Sequence, residues 1–468
     1  MLFSLTLIPP LLVEEYYRDG SLPPFVFSIL FFLGAGFILY FPFRKHKKEL
    51  RSRDGFLIVV LFWVVASLAG ALPFYLAKDP NMSFTDAFFE SVSGFTTTGS
   101  TVLTGLDTLP HSILYYRQQT QLLGGMGIII LAVAILPMLG IGGMQLYRAE
   151  STGPVKDNKL TPRIAQTAKA IWAIYIALAL LCAICFWASG MNFFDAIGHS
   201  FAAVSTGGYS THDLSLGYYH EPLIKIVAII FMFLGSISFN LHFAAIHNRN
   251  GGIYRRDSEL RAFIIFLCLF WAATWVGFLI FNPPSSEDLL LDTIFQVVSI
   301  HTTTGFVTTD FSLWPAYIPL MLLFAGVIGG CAGSTSGGLK VVRLLLLMKQ
   351  GNREVHRLVH PQGFFTIKFG NLQVPNRVIE AIWGFLAMYI CIFTIFLLLL
   401  LLTEMDFITA YSALLTTISN TGPGLGKITA NFAELSNFSK WILSFAMLVG
   451  RLEIFTVIVL FSPALWRS

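Results

Sequence analysis

Long apolar runs alternate along this chain with short polar connections, and that alternation by itself predicts helices. A membrane-crossing helix needs about 20 mostly apolar residues. Runs of this kind cover 24–43, 55–77, 119–146, 164–189, 222–247, 258–282, 313–348, 375–403 and 436–465. A shorter apolar run at 2–13 contains Pro9-Pro10, which predicts either an irregular helix or the remainder of one.

Four of the connections share a second pattern, a short apolar segment followed by a cluster of Ser, Thr and Gly. They read FTDAFFESVSGFTTTGST (84–101), FFDAIGHSFAAVSTGGYS (193–210), LLDTIFQVVSIHTTTGFV (290–307) and DFITAYSALLTTISNTGPG (406–424). With Asp86, Asp195, Asp292 and Thr409 in register, Gly99, Gly208, Gly305 and Gly422 each follow 13 residues later without gaps. One such cluster reads as a loop. Four in register predict a repeated supersecondary unit: helix, short re-entrant helix, polar turn, helix. The expected organisation is an N-terminal two-helix unit (1–54) and four units at 55–147, 148–248, 249–350 and 351–468, the last including a basic linker. The fold class is an all-α polytopic membrane protein with four pseudo-symmetric repeats around one axis.

Composition strengthens this reading: 55% of the 468 residues are hydrophobic and only 12% charged, about half the charged share of a soluble domain. Charge distribution then orients the chain. Basic clusters at Arg44–Arg53, Arg148–Arg163, Arg249–Arg261 and Lys349–Lys368 fall on alternate connections, while Asp79, Asp107, Asp213, Glu221, Glu287, Asp288, Asp310 and Glu404 fall on the others. The positive-inside rule places the basic loops in the cytoplasm, and both termini with them if 2–13 crosses. The four polar turns then share the outer side. The five cysteines all lie in apolar segments and imply no disulfide framework.

The chemistry of the turns points to a cation path. Irregular backbone at membrane depth is tolerated only around protein or water. Asp86, Asp195 and Asp292 are expected to cap the short helices, whose negative C-terminal ends then face the turns. Oxygens from Thr97, Thr98 and Gly99, Thr206, Gly207 and Gly208, Thr303, Thr304 and Gly305, and Asn420, Thr421 and Gly422 would replace a cation's hydration shell. Without a carboxylate ring there, a monovalent ion fits better than Mg²⁺ or Ca²⁺. In the second turn either Gly207 or Gly208 is the counterpart glycine, the ungapped count favouring Gly208.

Residues 326–338, GVIGGCAGSTSGG, hold six glycines in thirteen positions. A continuous helix there would lose roughly 1 kcal/mol per glycine relative to alanine, so the run 313–348 is expected to break. The alternative is a helix-packing seam of small residues. The expected loop holds Gly329, Gly330, Gly333, Ser334, Thr335, Ser336, Gly337 and Gly338, the segment to which the resemblance described below assigns a gate, with Lys340 either serving with it or marking the cytoplasmic boundary. Arg451 lies 29 residues after Gly422, the same offset that separates Ser334 from Gly305. An arginine at that depth needs a cavity or a partner, and Arg451 is expected to be a barrier or loop anchor. A pair with Glu453 is disfavoured because residues two apart leave a helix on different faces.

No enzyme constellation is present. GSTSGGLK (333–340) departs from a phosphate loop because Leu339 stands where Lys should, and GPGLGK (422–427) has no strand context. His199, His242 and His301 read as packed or hydrogen-bonded residues. An organic-substrate carrier or a membrane enzyme would be built differently.

With these residues in view, the sequence resembles the Trk branch of the Trk/Ktr/HKT superfamily of potassium transporters over essentially its whole length. The four turn segments, LGGMGI (123–128), IGGCAGSTSGGLK (328–340) and GRLEIF (450–455) carry the resemblance. It implies K⁺ as the transported ion, because all four turn glycines are present, with a sodium-selective or mixed Na⁺/K⁺ relative as the alternative. It implies a selectivity filter at the turns, an intramembrane gate in the third repeat, and no bound organic cofactor in this chain. It also implies a homodimer on a cytosolic TrkA-like ring that binds NAD and ATP or ADP, in the bacterial inner membrane. The basic segment 349–374 meets either that partner or anionic membrane lipid. Nucleic acid is not an expected partner. Whether the ion moves through a channel or a coupled carrier is open.

Overall fold

The structure, a computed structural model, describes residues 1–44, 52–130, 160–281, 288–370 and 372–466. The stretch 131–146 of one expected span, and the basic residues at 45–51 and 148–159, lie outside the described residues. The described chain is helical apart from a two-stranded antiparallel hairpin, which pairs Lys368 with Gln373 and Phe369 with Leu372.

Five described helices are long and apolar enough to cross a membrane, at Leu22–Pro42, Asp54–Leu76, Gln166–Ala188, Ser258–Ile280 and Asn376–Leu401. Between them stand the short helices Phe84–Phe95, Phe193–Val204, Leu289–His301 and Phe407–Ile418. Each short helix is followed by a turn and then by a returning helix, beginning at His111, Pro222, Tyr317 and Asn437. The burial pattern is that of a protein in lipid. Apolar side chains such as Leu30, Ile38, Leu180 and Leu279 face outward, while Thr96–Thr98, Ser205, Thr302–Thr304 and Asn420 are buried at the centre.

Among the described residues, the second, third and fourth returning helices are broken. The run 313–348 splits into Tyr317–Ile328 and Val341–Val359, as the glycines predict. The expected continuous helices at 222–247 and 436–465 are corrected by the structure. Pro222–Ser236 meets Phe239–His247 at 90°, and Asn437–Arg451 meets Ile454–Phe461 at 108°. The first bend frees the carbonyls of Gly235 and Ser236, which accept from Thr335 N (3.3 Å) and Cys331 N (3.0 Å) of the glycine-rich loop. At the second, Gly450 has no room for a side chain: a Cβ there would lie 2.0 Å from Ile418 O. The N-terminal run forms two short helices, Leu2–Leu5 and Ile8–Tyr17, which pack on Leu22–Phe43 and His111–Ile130.

The capping expectation is also corrected. The N-caps are Ser83, Asn192 and Asp406, whose side chains accept from Asp86 N, Asp195 N and Thr409 N, with Asp288 as the third cap but without such a bond. Asp86 and Asp195 are the third residues of their helices, the spacing of a capping box, whereas Asp292 is the fourth residue of its helix. Ser83 Oγ donates to Asp86 Oδ2 at 2.7 Å, and Asn192 Nδ2 to Asp195 Oδ2 at 2.6 Å.

Candidate functional site

Each short helix ends in the same way. The residue after the C-cap is Thr97, Thr206, Thr303 or Asn420, with φ of +51°, +52°, +57° and +52°. Its N–H donates back to Gly94 O, Ala203 O, Ile300 O or Thr417 O, and the next N–H donates to Ser93 O, Ala202 O, Ser299 O or Thr416 O. This is a Schellman closure with threonine or asparagine where glycine is usual. A β-branched residue in the left-handed region is a strained outlier, whereas asparagine tolerates it, so the strain recurs at one register position in the three threonine turns and Asn420 relieves it in the fourth. Strain of this kind gathers at functional sites, held by the surrounding fold.

Two residues on, Gly99, Gly208, Gly305 and Gly422 have φ of +83°, +78°, +85° and +101°. Gly208, not Gly207, therefore stands in register with the other three. A Cβ on Gly99 would lie 2.2 Å from Gly207 O; one on Gly208, 2.0 Å from Thr304 O; one on Gly305, 2.1 Å from Thr421 O; and one on Gly422, 2.7 Å from Thr98 O. The contacts run from turn one to two, two to three, three to four and four back to one. The four turns close a ring, and the residue before each glycine supplies the carbonyl that meets its neighbour.

Side chains brace this ring, and apart from Asn420 the sequence reading did not single them out. Gln121 Nε2 donates to Gly207 O (2.6 Å), Gln121 Oε1 accepts from Tyr209 N (3.1 Å), and Ser100 Oγ donates to Gly422 O (3.2 Å). Asn420 Nδ2 donates to Thr98 Oγ1 (2.9 Å) and Met447 O (3.0 Å). Arg117 and Glu90 form a buried pair at 2.5 Å. Glu90 also accepts from Val102 N, and Arg117 donates to Ser210 O and lies over the Tyr209 ring, so the pair joins the first two turns. Removing one member of such a pair strands the other and costs about 3–5 kcal/mol. Arg117→Ala is accordingly expected to lower the thermal midpoint of detergent-solubilised protein sharply; an unchanged midpoint would show that the pair is dispensable.

The aspartates of the short helices tie neighbouring repeats together. Lys440 Nζ lies 2.6 Å from Asp86 Oδ1 and Lys225 Nζ 2.8 Å from Asp292 Oδ1. Asp195 receives Thr211 Oγ1 (2.6 Å) and Tyr219 OH (2.7 Å), and its Oδ2 lies 3.0 Å from His212 Nε2. His212 Nδ1 lies 2.5 Å from Asp107 Oδ1, and its ring stacks on Tyr218, near Tyr219 and His199. Asp213 N also donates to Asp107. Burial opposes charge on His212, but the two carboxylates outweigh it and raise its pKa above the ordinary histidine value. A raised folded-state pKa contributes stability that is full below the unfolded value and fades as pH rises through the folded one. The stability lost in His212→Asn should therefore be greatest at acidic pH and shrink toward alkaline pH; a difference that does not vary with pH would contradict the linkage.

The glycine-rich loop lies against the ring. Gly337 N donates to Thr303 Oγ1 (2.6 Å), and Gly338 N to Ser419 O (2.9 Å). Thr335 Oγ1 donates to Val204 O (3.0 Å) or Gly235 O (2.9 Å), and Thr206 Oγ1 donates to Thr335 Oγ1 (3.2 Å). Arg451 Nη1 donates to Thr335 O (2.8 Å). Its Nε and Nη2 have no hydrogen-bond partner among the described residues. Lys340 Nζ donates to Ser336 O, inside the loop, and Glu453 pairs with Arg343 at 2.5 Å. Gly329, Gly330, Gly333, Ser334 and Ser336 complete the loop. His199, His242 and His301 each hydrogen-bond to protein: His199 to Asp195 O and Ser210, His242 to Tyr254 and Leu234 O, and His301 to Ala325 O. Among the described residues no group of His, Cys, Asp and Glu is arranged to hold a metal ion.

This arrangement has close relatives. A family model described as "TrkH: Cation transport protein" matches residues 22–468. The chain belongs to the TrkH family. It is 52% identical to the Trk system potassium uptake protein TrkH of Vibrio parahaemolyticus serotype O3:K6, with 100% of this chain and 97% of that protein covered. It is 51% identical, with the same coverage, to the protein of that name from Escherichia coli K12. The Trk system potassium uptake protein TrkG of the same organism is 38% identical, with 100% and 96% covered. The crystal structure of the potassium transporter TrkH from Vibrio parahaemolyticus superposes with a TM-score of 0.93 at 49% identity, covering 99% of this chain and 97% of that one. The fold is thus that of this family, in a multi-pass membrane protein.

Proposed function

We propose that this TrkH-family chain takes up K⁺ across the bacterial inner membrane through the ring of four turns. The cyclic closure of the four glycines carries the reading. It sets the backbone carbonyls of Thr98, Gly207, Thr304 and Thr421 at equivalent places around one axis, where they replace the water around a dehydrated cation. Thr97 Oγ1, Thr421 Oγ1 and Asn420 Oδ1, buried and without a hydrogen-bond partner among the described residues, are further oxygens for the ion. The glycine-rich loop is the gate, and Arg451 is both its anchor and a positive barrier to cations.

The basic loops face the cytoplasm, and the working unit is a homodimer on a nucleotide-binding ring. Relatives named as parts of a Trk system support a multi-component assembly. The helix Val341–Val359 and the hairpin after it, with Lys349, Arg353 and Arg357, are the surface such a ring would meet. The protein does no covalent chemistry in this reading. Expression in cells lacking potassium uptake tests it: growth on low K⁺ is the expected result, and no rescue by membrane-inserted protein, with the ring co-expressed, contradicts it.

A further inference from the structure

The loop has an attachment outside the pore that neither the ring nor Arg451 explains. Glu259, in the first turn of Ser258–Ile280, turns one carboxylate oxygen to both of the loop's roots: Oε1 accepts from Ala332 N at 2.7 Å and from Val342 N at 3.2 Å. Val342 is the second residue of Val341–Val359, whose N-cap, Lys340, makes no side-chain cap bond. An amide in a helix's first turn has no partner within the helix, so Glu259 supplies from another helix the acceptor that the local sequence lacks. A carboxylate is well suited to that end of the dipole.

The roots are joined in two further ways. Leu339 N, Lys340 N and Val341 N donate to Val327 O, Ile328 O and Gly330 O, closing the neck of the loop. Cys331 and Val341 sit in one apolar cluster with Leu260 and Phe263 beside Glu259 and with Ile237 and Leu241 at the bend of the second repeat. The tip, among the described residues, bonds to the ring, the bent helix and Arg451, and back to its own neck through Cys331 O and Lys340 Nζ. A loop built this way has a fixed root and a tip free to exchange partners.

We propose that Glu259 is a positioning residue that fixes the root of the intramembrane loop and so holds the closed state, an inference that rests on the loop being the gate. Loss of the acceptor frees Ala332 N and Val342 N together and releases both limbs of the loop. An amide side chain at this position still offers an oxygen, whereas an aspartate is one methylene too short to meet both donors.

Cys331, next to Ala332 and 2% exposed, reports the state of the root. With Cys182, Cys185, Cys268 and Cys391 changed to serine, the chain is reconstituted in proteoliposomes and assayed for basal Rb⁺ flux, K⁺/Na⁺ preference and labelling of Cys331 by a membrane-permeant maleimide. Glu259→Ala and Glu259→Asp are expected to raise flux severalfold and speed labelling with the ion preference unchanged, and Glu259→Gln to restore both. The aspartate variant keeps the test open if the alanine variant does not fold. Parental flux and labelling in both variants, while Arg451→Ala leaks, overturns the role of Glu259 and leaves the gate reading standing. Parental flux in the Glu259 and Arg451 variants alike removes the gate reading, and this inference with it.

Discussion

Gly99→Ser is expected to lower the preference for K⁺ over Na⁺ about tenfold, measured as the ratio of competing uptakes in folded protein. Two costs act at this position. The backbone at +83° is one that side-chain-bearing residues rarely adopt, at about 1–3 kcal/mol. The new Cβ also meets Gly207 O at 2.2 Å, and that atom is backbone, with no rotamer to swing away. Either the second turn rotates its carbonyl or the ring widens, and both spoil the match to a dehydrated ion. A loss of 1.4 kcal/mol of discrimination is about tenfold. Gly105→Ser is the control: φ there is +69°, but the nearest atom to a Cβ is Thr108 Oγ1 at 3.6 Å, in the connection that follows the first turn. It carries the torsional cost without touching the ring, and its ion ratio should match the parent's. Equal ratios in Gly99→Ser and parent would remove the filter assignment.

Arg451→Ala is expected to raise basal K⁺ or Rb⁺ flux about tenfold or more. The guanidinium holds Thr335 O from one side while Thr335 Oγ1 donates to Val204 O or Gly235 O on the other. A hydrogen bond to a charged group contributes about 1.5–3 kcal/mol, which alone shifts a closed–open balance roughly 10- to 100-fold. In the proposed gate the substitution also removes a positive charge from the cation's route, so both effects act in one direction. Unchanged or lower flux in correctly folded variant protein would count against the anchor.

The ring was readable because it is four local structures repeated. A short helix, a 13-residue register and a glycine are written in consecutive residues, and comparison of the four copies shows them. The capping residues were within reach as well, since Ser83 and Asn192 stand three before an aspartate, the spacing of a capping box. The aspartates drew attention because they are the feature shared by three copies, and their task proved to be tertiary. Lys225 and Lys440 follow Gly208 and Gly422 by 17 and 18 residues, so the repeat register held a signal for the inter-repeat ion pairs. By the same count Arg117 follows Gly99 by 18.

The bends at 236–238 and 451–453 had no comparable signal. Their apolar content fits a continuous helix, and what breaks them is tertiary: the loop of the third repeat takes the carbonyls of Gly235 and Ser236, and the fourth repeat's own short helix crowds Gly450. Glu259 was hidden for the same reason. At the start of a helix it reads as an ordinary first-turn acid, and only the fold brings residues 332 and 342 to it.

The central claim is that the four turns act together as a potassium-selective filter. Radiolabelled Rb⁺ uptake into proteoliposomes of the purified chain, challenged with rising external K⁺ or Na⁺, tests it most directly. The geometry predicts that K⁺ displaces Rb⁺ at concentrations where Na⁺ has no effect. Equal displacement by the two ions would contradict it.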